Sequence, residues 1–206
     1  MAESAGQDRT QGLFAVAVYC GSSMGRRPEY RAAAEEVGAA LAARGIELVY
    51  GGGNVGLMGV VADATLAAGG RVCGVIPDCL VRWEVAHTGL TEQHVVDTMH
   101  QRKQLMADRA AGFIALPGGI GTLEELFEVY TWVQIGLHAR PLGLLNVAGY
   151  YDHLLAFLDH ATAEGLFRPE HRARLLVDTE VHRLLDRMAA NLDLAPIPKW
   201  VEKDVR

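Results

Sequence analysis

Residues 117–125, which read PGGIGTLEE, carry the side chains most suited to chemistry on a phosphorylated small molecule. Glycines let a backbone turn approach an anion closely, and the Thr122 hydroxyl can donate to a phosphate oxygen. A helix that begins here would offer unpaired N–H groups, with the Glu125 carboxylate in its first turn. Thr122 and Glu125 also have the spacing of a capping box, in which both side chains only satisfy helix ends. Both interpretations stay open, and for Thr122 they are compatible.

A second candidate lies at residues 99–103, which read MHQRK and start a predicted helix. Arg102 and Lys103 are adjacent, so their side chains point about 100° apart around that helix. An arginine at a helix start opposes the helix dipole, which favours negative charge there, and a bound anion would compensate. The alternative is an ordinary pair of surface cations.

Two further glycine-rich segments follow predicted strands, at Gly21–Ser23 and at Gly51–Gly56. The second fits the GxGxxG pattern of dinucleotide-binding proteins, and Asp78 lies about twenty residues further on. That acid falls beyond the end of the next strand, however, and the pattern follows the second strand rather than the first. A dinucleotide site, a plain connecting turn and a mononucleotide phosphate loop remain open, and the last is favoured.

The remaining candidates are weaker. Eight histidines lack metal-binding spacing, no serine sits in a GxSxG elbow, and His87, close to Glu84, is the histidine expected nearest the site. The helix that contains Trp132 is apolar on more than one face, which indicates either a central core helix or a subunit contact.

These segments must be positioned by alternating strands and helices. Continuous apolar strands between helices predict an α/β fold, a doubly wound, Rossmann-like parallel sheet with helices on both faces. In such sheets ligands bind beyond the carboxyl ends of the strands, where all three glycine-rich segments fall. The predicted strands are Phe14–Tyr19, Glu47–Tyr50, Val72–Ile76, Val95–Val96, Gly112–Leu116, Pro141–Leu145 and Leu175–Val177. The predicted helices are Glu29–Arg44, Leu57–Ala68, Thr98–Ala110, Leu123–Leu137, Tyr150–Glu164 and Val181–Asn191.

Composition bounds the class of protein. The chain has 206 residues, 50% of them hydrophobic, and a net charge of −6, which argues against a nucleic-acid-binding protein. Three cysteines without a CxxC pair suggest neither disulfides nor zinc, and no apolar run reaches the roughly 18 residues of a membrane span. We expect a cytoplasmic protein with one domain at residues 12–194, a polar tail at 1–11 without signal-peptide features, and a C-terminal tail at 195–206.

PGGIGTLEE and MHQRK together resemble the paired signatures PGGxGTxxE and MxxRK of the LONELY GUY (LOG) family. These are cytokinin riboside 5′-monophosphate phosphoribohydrolases that were long labelled possible lysine decarboxylases. Both signatures are intact, and the resemblance runs from about residue 15 to about residue 190. It includes YGGG at 50–53, GLMG at 56–59 and LLNVAGYYDHLL at 144–155.

The resemblance implies catalytic roles for Arg102 and Glu125 and a homodimer with its site close to the subunit contact. It implies that Glu84, Lys103 and Thr131 line a nucleotide site whose phosphate is held by Gly119, Ile120, Gly121 and Thr122. We add Gly118, Gly52, Gly53 and Ser22 from the glycine-rich segments. No metal and no cofactor are expected.

The implied reaction is hydrolysis of the N-glycosidic bond of an adenosine 5′-monophosphate, with or without an N6 substituent, to free base and ribose 5-phosphate. By analogy with glycoside hydrolysis, Glu125 would stabilise a cation-like sugar, activate water or attack directly, and these three roles stay open. The alternative is a carrier that binds a nucleotide or molybdenum cofactor without turnover. A pyridoxal phosphate decarboxylase would need a Schiff-base lysine, and only Lys103 lies outside the C-terminal tail.

Overall fold

A computed structural model describes residues 12–81, 86–192 and 194–197. Its strands are β1 Ala15–Tyr19, β2 Glu47–Tyr50, β3 Val72–Pro77, β4 Glu92–Val96, β5 Gly112–Ala115, β6 Leu142–Leu145 and β7 Leu175–Asp178. Its helices are α1 Pro28–Ala43, α2 Gly56–Ala67, α3 Asp78–Val81, α4 Met99–Arg109, α5 Ile120–Gln134, α6 Asp152–Ala163, α7 Pro169–Arg172 and α8 Val181–Ala189. A 3₁₀ turn, Val147–Gly149, precedes α6.

The seven strands form one parallel sheet in the order β4-β3-β2-β1-β5-β6-β7. β1 and β5 are its centre, and all their residues are buried because helices cover both faces. One buried cluster joins the sheet to α1, α2 and α8, and a second joins it to α4, α5 and α6. The predicted doubly wound, Rossmann-like fold is therefore confirmed.

The order of the strands fixes where a ligand site can form. From β1 the chain moves outward to β4 in one direction, crosses back through α4 to β5, and then moves outward to β7 in the other. The helices that follow β1 and β5 lie on opposite faces, so a crevice opens between the carboxyl ends of these two strands. Such a switch point is the usual ligand site of open α/β sheets.

Most predicted elements are confirmed, and the differences have local causes. Strand β4 has five residues, whereas only two were predicted. It is an edge strand whose half-buried and exposed residues alternate, so it lacks the apolar run that marks the central strands. Helix α5 begins three residues earlier than predicted, within the glycine-rich segment itself. The short helices α3 and α7 were not predicted.

None of the helices within the described ranges has both the length and the apolar character needed to cross a membrane.

Candidate active site

A cavity of about 290 Å³ opens at the switch point between β1 and β5. Four parts of the fold meet there: the end of β1, the start of α2, the start of α4 and the first turns of α5. Its lining residues are Cys20, Ser22, Met58, Met99, Arg102, Gly119, Ile120, Gly121, Thr122, Glu124 and Glu125.

The floor of this cavity is the N-terminus of α5. The helix starts at Ile120 with Gly119 as its N-cap, and no side chain caps it. The first backbone N–H groups of a helix have no intrahelical acceptor, so they and the dipole favour an anion. A Cβ on Gly119 or on Gly121 would meet no protein atom within 4 Å, so packing does not require glycine at either position. The bare backbone instead leaves the space above the helix start open to a ligand.

The capping-box interpretation of Thr122 and Glu125 is wrong, because Thr122 is the third residue of α5 and not its N-cap. Its side chain is buried against the preceding turn, where a Cβ on Gly118 would lie 2.1 Å from Thr122 Oγ1. A capping box does exist at the start of α4, where Thr98 and Gln101 satisfy each other's backbone N–H groups. The α4 start that carries Arg102 is thus firmly defined.

Arg102 is buried, with only 6% of its surface exposed, so the interpretation as a surface cation is wrong for this residue. Its Nε donates to the Val75 carbonyl at 3.2 Å, and its Nη2 donates to the Gly51 carbonyl at 3.1 Å. Those carbonyls lie on β3 and just beyond β2, so the guanidinium is fixed to the sheet edge. Nη1 reaches Met99 Sδ at 3.5 Å, a weak acceptor that leaves donor capacity beside the cavity.

Lys103 points differently, as the helical spacing predicts. Its Nζ donates to Glu124 and, at 2.9 Å, to Glu128, both on α5. Burial alone would lower the pKa of the Lys103 ammonium, but these two hydrogen bonds outweigh burial and leave that pKa raised. Lys103 is therefore a stable cation that joins α4 to α5.

Glu125 lines the cavity. It lies in the second turn of α5 and not in the first turn as predicted, since the helix begins at Ile120. Burial, with the nearby Glu125 charge as a second cause, raises the pKa of the Cys20 thiol far above its usual range. Burial and the same carboxylate also raise the pKa of Tyr19. Cys20 therefore stays a protonated thiol at neutral pH and is no nucleophile.

The other glycine-rich segments contribute unequally. Ser22 lines the cavity as expected. Gly52 and Gly53 are absent from the described lining: Gly52 accepts from the His87 backbone N–H, and Gly53 bridges to Ala86. Their neighbour Gly51 has the closer connection to the site, since a Cβ there would lie 1.8 Å from Arg102 Nη2.

Two of the predicted site residues, Thr131 and His87, lie outside the described lining of the cavity, and the position of a third is not described. Glu84 falls outside the described residues. Thr131 donates to the Phe127 carbonyl and lines a separate depression of about 210 Å³ between α5 and α6. The His87 ring lies 2.9 Å from an Asp63 carboxylate oxygen and outside the described lining of the cavity.

The sequence interpretation missed two tyrosines that hold the glycine-rich turn in place. Tyr151 donates to the Leu116 carbonyl at 2.6 Å, and Tyr150 donates to the Gly118 carbonyl at 2.6 Å. Asn146 fixes this pair by accepting from the Tyr151 backbone N–H and donating to Asp152. All four residues lie in LLNVAGYYDHLL, a segment that belongs to the family resemblance but for which no role was predicted.

One cluster of possible metal ligands was not predicted from the spacing of the histidines. Donor atoms of Cys73, Glu92 and His94 lie within 4.8 Å of one another on β3 and β4. The Arg109 guanidinium already holds both Glu92 oxygens at 2.6 and 2.7 Å and contacts Cys73 Sγ at 3.2 Å. Two of the three possible ligands are therefore already engaged by a cationic side chain.

This fold and this cavity define a Rossmann-like α/β protein with a candidate anion site at its topological switch point. A family model described as "Possible lysine decarboxylase" matches residues 58–188. The chain belongs to that family, the LONELY GUY (LOG) family, and the resemblance read from the two signatures is confirmed.

Several relatives are about half identical to this chain. One, from Oryza sativa subsp. japonica, is named probable cytokinin riboside 5′-monophosphate phosphoribohydrolase LOGL9; it is 56% identical over 157 residues, which are 76% of this chain and 69% of the relative. A Rhodococcoides fascians protein named cytokinin riboside 5′-monophosphate phosphoribohydrolase is 51% identical over 167 residues, 81% of this chain and 84% of the relative.

Solved structures share the fold at low sequence identity. A molybdenum cofactor binding protein from Rippkaea orientalis has a TM-score of 0.66 at 18% identity and covers 89% of this chain and 98% of its own. A structure titled TM1055 has a TM-score of 0.63 at 22% identity and covers 85% of this chain and 98% of its own.

Proposed function

We propose that this protein hydrolyses the N-glycosidic bond of N6-substituted adenosine 5′-monophosphates and releases the free base, a cytokinin, and ribose 5-phosphate. Relatives that are 51 to 56% identical over most of the chain carry the name of this activity. One structural observation carries the proposal: a single cavity holds the bare N-terminus of α5, the Arg102 guanidinium and the Glu125 carboxylate.

The start of α5 is suited to the 5′-phosphate. Backbone N–H groups from Ile120 to Thr122 and the Thr122 hydroxyl surround the open space that Gly119 and Gly121 leave. Ser22 faces the same cavity from the end of β1. Binding a phosphate here fixes the far end of the substrate, and that binding energy positions the ribose at the reacting groups.

Glu125 is the candidate for chemistry at the anomeric carbon. When the bond to the base breaks, positive charge develops on the sugar, and a carboxylate within reach stabilises it. Water then adds to the anomeric carbon through its oxygen and loses one proton, and the departing base takes up a proton at the nitrogen that held the sugar. Glu125 can stabilise the cation, accept the water proton and pass it to solvent, or form a transient ester that water then hydrolyses. All three roles require the carboxylate beside the anomeric carbon.

Arg102 supplies positive charge at a fixed position. Two backbone carbonyls hold its guanidinium, so its remaining N–H groups are preorganised toward the cavity. A lysine could not reproduce both carbonyl contacts and also reach a ligand, because its ammonium is a single point of charge.

Lysine decarboxylation does not fit these residues. Pyridoxal phosphate requires a neutral lysine amine for its Schiff base. Lys103 is held as a cation by two carboxylates, so its amine is not available for a Schiff base.

We also propose a homodimer that works in the cytoplasm, where its nucleotide substrates occur. Large apolar side chains are exposed on and just after α5 and α6, at Ile135, Leu137, Phe157 and Leu166. A second copy packed there would bury them beside the depression that Thr131 lines. Thr131 lies about 14 Å along α5 from Thr122, so contact between Thr131 and a nucleotide would be made across such an interface. Sedimentation of the Phe157→Glu variant tests this: the dimer should dissociate, and an unchanged dimer would place the contact elsewhere.

The direct test of function is chromatography of free base released from N6-isopentenyl-AMP and from AMP. The wild-type protein should release base, and Glu125→Ala should release none while it still binds nucleotide by calorimetry. Glu36→Ala, an exposed carboxylate on α1, is the matched control and should keep full activity. If the wild-type protein bound nucleotide but released no base, the protein would be a carrier.

A further inference from the structure

A hydrogen-bonded pair, Asp63 and His87, joins helix α2 to the segment that leads into β4. The His87 ring Nε2 lies 2.9 Å from Asp63 Oδ1, and because a carboxylate oxygen accepts, the ring nitrogen donates. Only 9% of the His87 side chain is exposed, against 73% for Asp63. Within the described part of the chain, His87 Nδ1 has no hydrogen-bond partner. The Asp63 carboxylate therefore fixes the direction of a buried ring.

The backbone beside this ring is tied to the β2 loop, residues 51–56. The His87 N–H donates to the Gly52 carbonyl at 3.0 Å, and Ala86 pairs with Gly53 in an antiparallel bridge. The loop also packs closely on β3, since a Cβ on Gly52 would lie 3.1 Å from a side chain of that strand. The β2 loop is thus held by β3 and by the segment that contains His87.

The β2 loop is also one of the two supports of the Arg102 guanidinium. Arg102 Nη2 donates to the Gly51 carbonyl at 3.1 Å, and Gly51 directly precedes the glycine that accepts from His87. The other support is the Val75 carbonyl, which accepts from Nε at 3.2 Å. A Cβ on Gly51 would lie 1.8 Å from Nη2, so the loop and the guanidinium are in close contact. A shift of the loop therefore moves a hydrogen-bond acceptor of Arg102.

Tyr50 places Asp63 near the same loop as well. This tyrosine is fully buried and is the last residue of β2, directly before Gly51. Burial, and after it the charge of Asp63, raises the pKa of Tyr50 far above its usual range. The Asp63 carboxylate is thus close both to the residue that precedes the loop and to the ring beside the loop.

We propose that Asp63 and His87 are positioning residues for the reaction: their hydrogen bond holds the β2 loop, and the Gly51 carbonyl of that loop aligns the Arg102 guanidinium. This inference rests on the proposed function, because it concerns how Arg102 is placed for that reaction. The start of α5, which is suited to the phosphate, belongs to a different part of the fold and does not depend on the pair. Loss of the pair should therefore affect kcat more than KM.

The test is to remove the carboxylate and to measure steady-state release of base from N6-isopentenyl-AMP. Asp63→Ala should lower kcat about 10-fold and change KM less than about 2-fold, and the Val75 carbonyl, which still holds Nε, limits the loss. Asp63→Asn keeps an acceptor oxygen for His87 and should restore kcat to within about 3-fold of wild type. Asp186→Ala is the matched control, because it removes another exposed helix carboxylate, which pairs with Arg44 at 2.6 Å, and it should leave both constants unchanged.

A double-mutant cycle with Arg102→Lys shows whether the pair acts through the guanidinium. In the Arg102→Lys background, Asp63→Ala should lower kcat less than about 2-fold further, because the contact that it disturbs is already gone. Equal losses in both backgrounds would overturn the proposal. So would a wild-type kcat for Asp63→Ala with only a lower thermal midpoint, which is the result of a merely structural role. The cycle uses Asp63 because its side chain is exposed, so the test does not depend on whether a His87→Ala protein folds.

A readout without turnover separates this inference from the proposed function. The Arg102 Nε–H is buried and donates to Val75, so its proton should exchange slowly with solvent, and its NMR signal is assigned by its loss in Arg102→Lys. Asp63→Ala should speed that exchange about 10-fold, and Asp186→Ala should not. If the wild-type protein released no base, the proposed function would fail while the exchange rate still decided whether the pair holds Arg102. If base were released and the exchange rate did not change, only this inference would fall.

Discussion

Two glycine-rich loops follow strands β2 and β5 at the same edge of the sheet, and they differ in what their glycines allow. In the β2 loop, residues 51–56, the glycines are required by packing: a Cβ on Gly51 would strike Arg102, and one on Gly56 would lie 2.2 Å from the Ser22 backbone. In the β5 loop, residues 116–121, Gly118 is also closely packed, but a Cβ on Gly119 or Gly121 would enter open space. The β2 loop packs against Arg102, and the β5 loop lines the cavity.

This contrast shows why glycine patterns alone do not locate a phosphate. The β2 loop fits the better-known GxGxxG pattern, yet its glycines serve close packing and a positive φ. The β5 loop has the open helix start to which an anion can bind. What a Cβ would meet separates the two classes, and substitutions at these glycines should therefore differ in sign as well as in size.

Gly56→Ala should have the largest effect on stability. Gly56 has a φ of 59°, and its Cβ would overlap the Ser22 backbone, which cannot move without shifting the segment that follows β1. The left-handed conformation and the overlap together should lower the free energy of unfolding by about 2–5 kcal/mol. Urea denaturation measures this loss. A variant as stable as wild type would show that the β2 loop can accommodate a Cβ at position 56, which contradicts the close packing of Gly56.

Gly51→Ala should act on chemistry without touching the substrate. The new Cβ would lie 1.8 Å from Arg102 Nη2, so the guanidinium must leave its carbonyl partner. If Arg102 is catalytic, displacing it should reduce kcat/KM about 100-fold, comparable to the loss of one preorganised donor.

The measurement is steady-state base release, with circular dichroism as the folding control. Arg102→Lys should fall to a similar level, and Gly51→Ala combined with Arg102→Lys should fall little further. Full additivity of the two losses would show that Gly51→Ala does not act through Arg102.

Much of the fold could be predicted because its central strands are continuous apolar runs. β1, β2 and β5 were predicted to within a residue at each end, since both of their faces are buried. Strand β4 was largely missed because half-buried and exposed residues alternate along this edge strand, which therefore has no continuous apolar run. The start of α5 was misplaced because Gly119 is its N-cap and Gly121 lies in its first turn, and glycine weakens helices.

The candidate site was predictable where a side chain acts alone and not where it acts through partners. Adjacent positions for Arg102 and Lys103 correctly indicated different directions around α4. Sequence could not show that Arg102 would bind backbone carbonyls 27 and 51 residues away, or that Lys103 would find carboxylates 21 and 25 residues away. Such contacts depend on strand order, which short-range patterns do not encode.

Gly121→Ala should stabilise the protein and weaken substrate binding together. Alanine is better than glycine inside a helix by about 0.5–1 kcal/mol, and its Cβ meets no protein atom here. The same methyl group would enter the space proposed for the phosphate and raise the KM for AMP about 10-fold.

Thermal unfolding and steady-state kinetics on one preparation test both halves of this expectation. Gly118→Ala is the matched control, because its Cβ would strike Thr122 and should destabilise the protein. A Gly121→Ala enzyme with unchanged KM would move the phosphate away from α5.

Tyr150→Phe should give the smallest change, because it removes one support of the β5 loop and leaves the other. The lost hydrogen bond to the Gly118 carbonyl stabilises the turn by about 0.5–1.5 kcal/mol, and Tyr150 is 41% exposed, so water can replace its hydroxyl. We expect KM to rise about 2–5-fold with kcat nearly unchanged, as measured by base release. Tyr151→Phe should cost more, because the Leu116 carbonyl that it leaves without this donor is buried. If Tyr150→Phe were the more damaging of the two, Tyr150 would contact the substrate instead of supporting the loop beneath it.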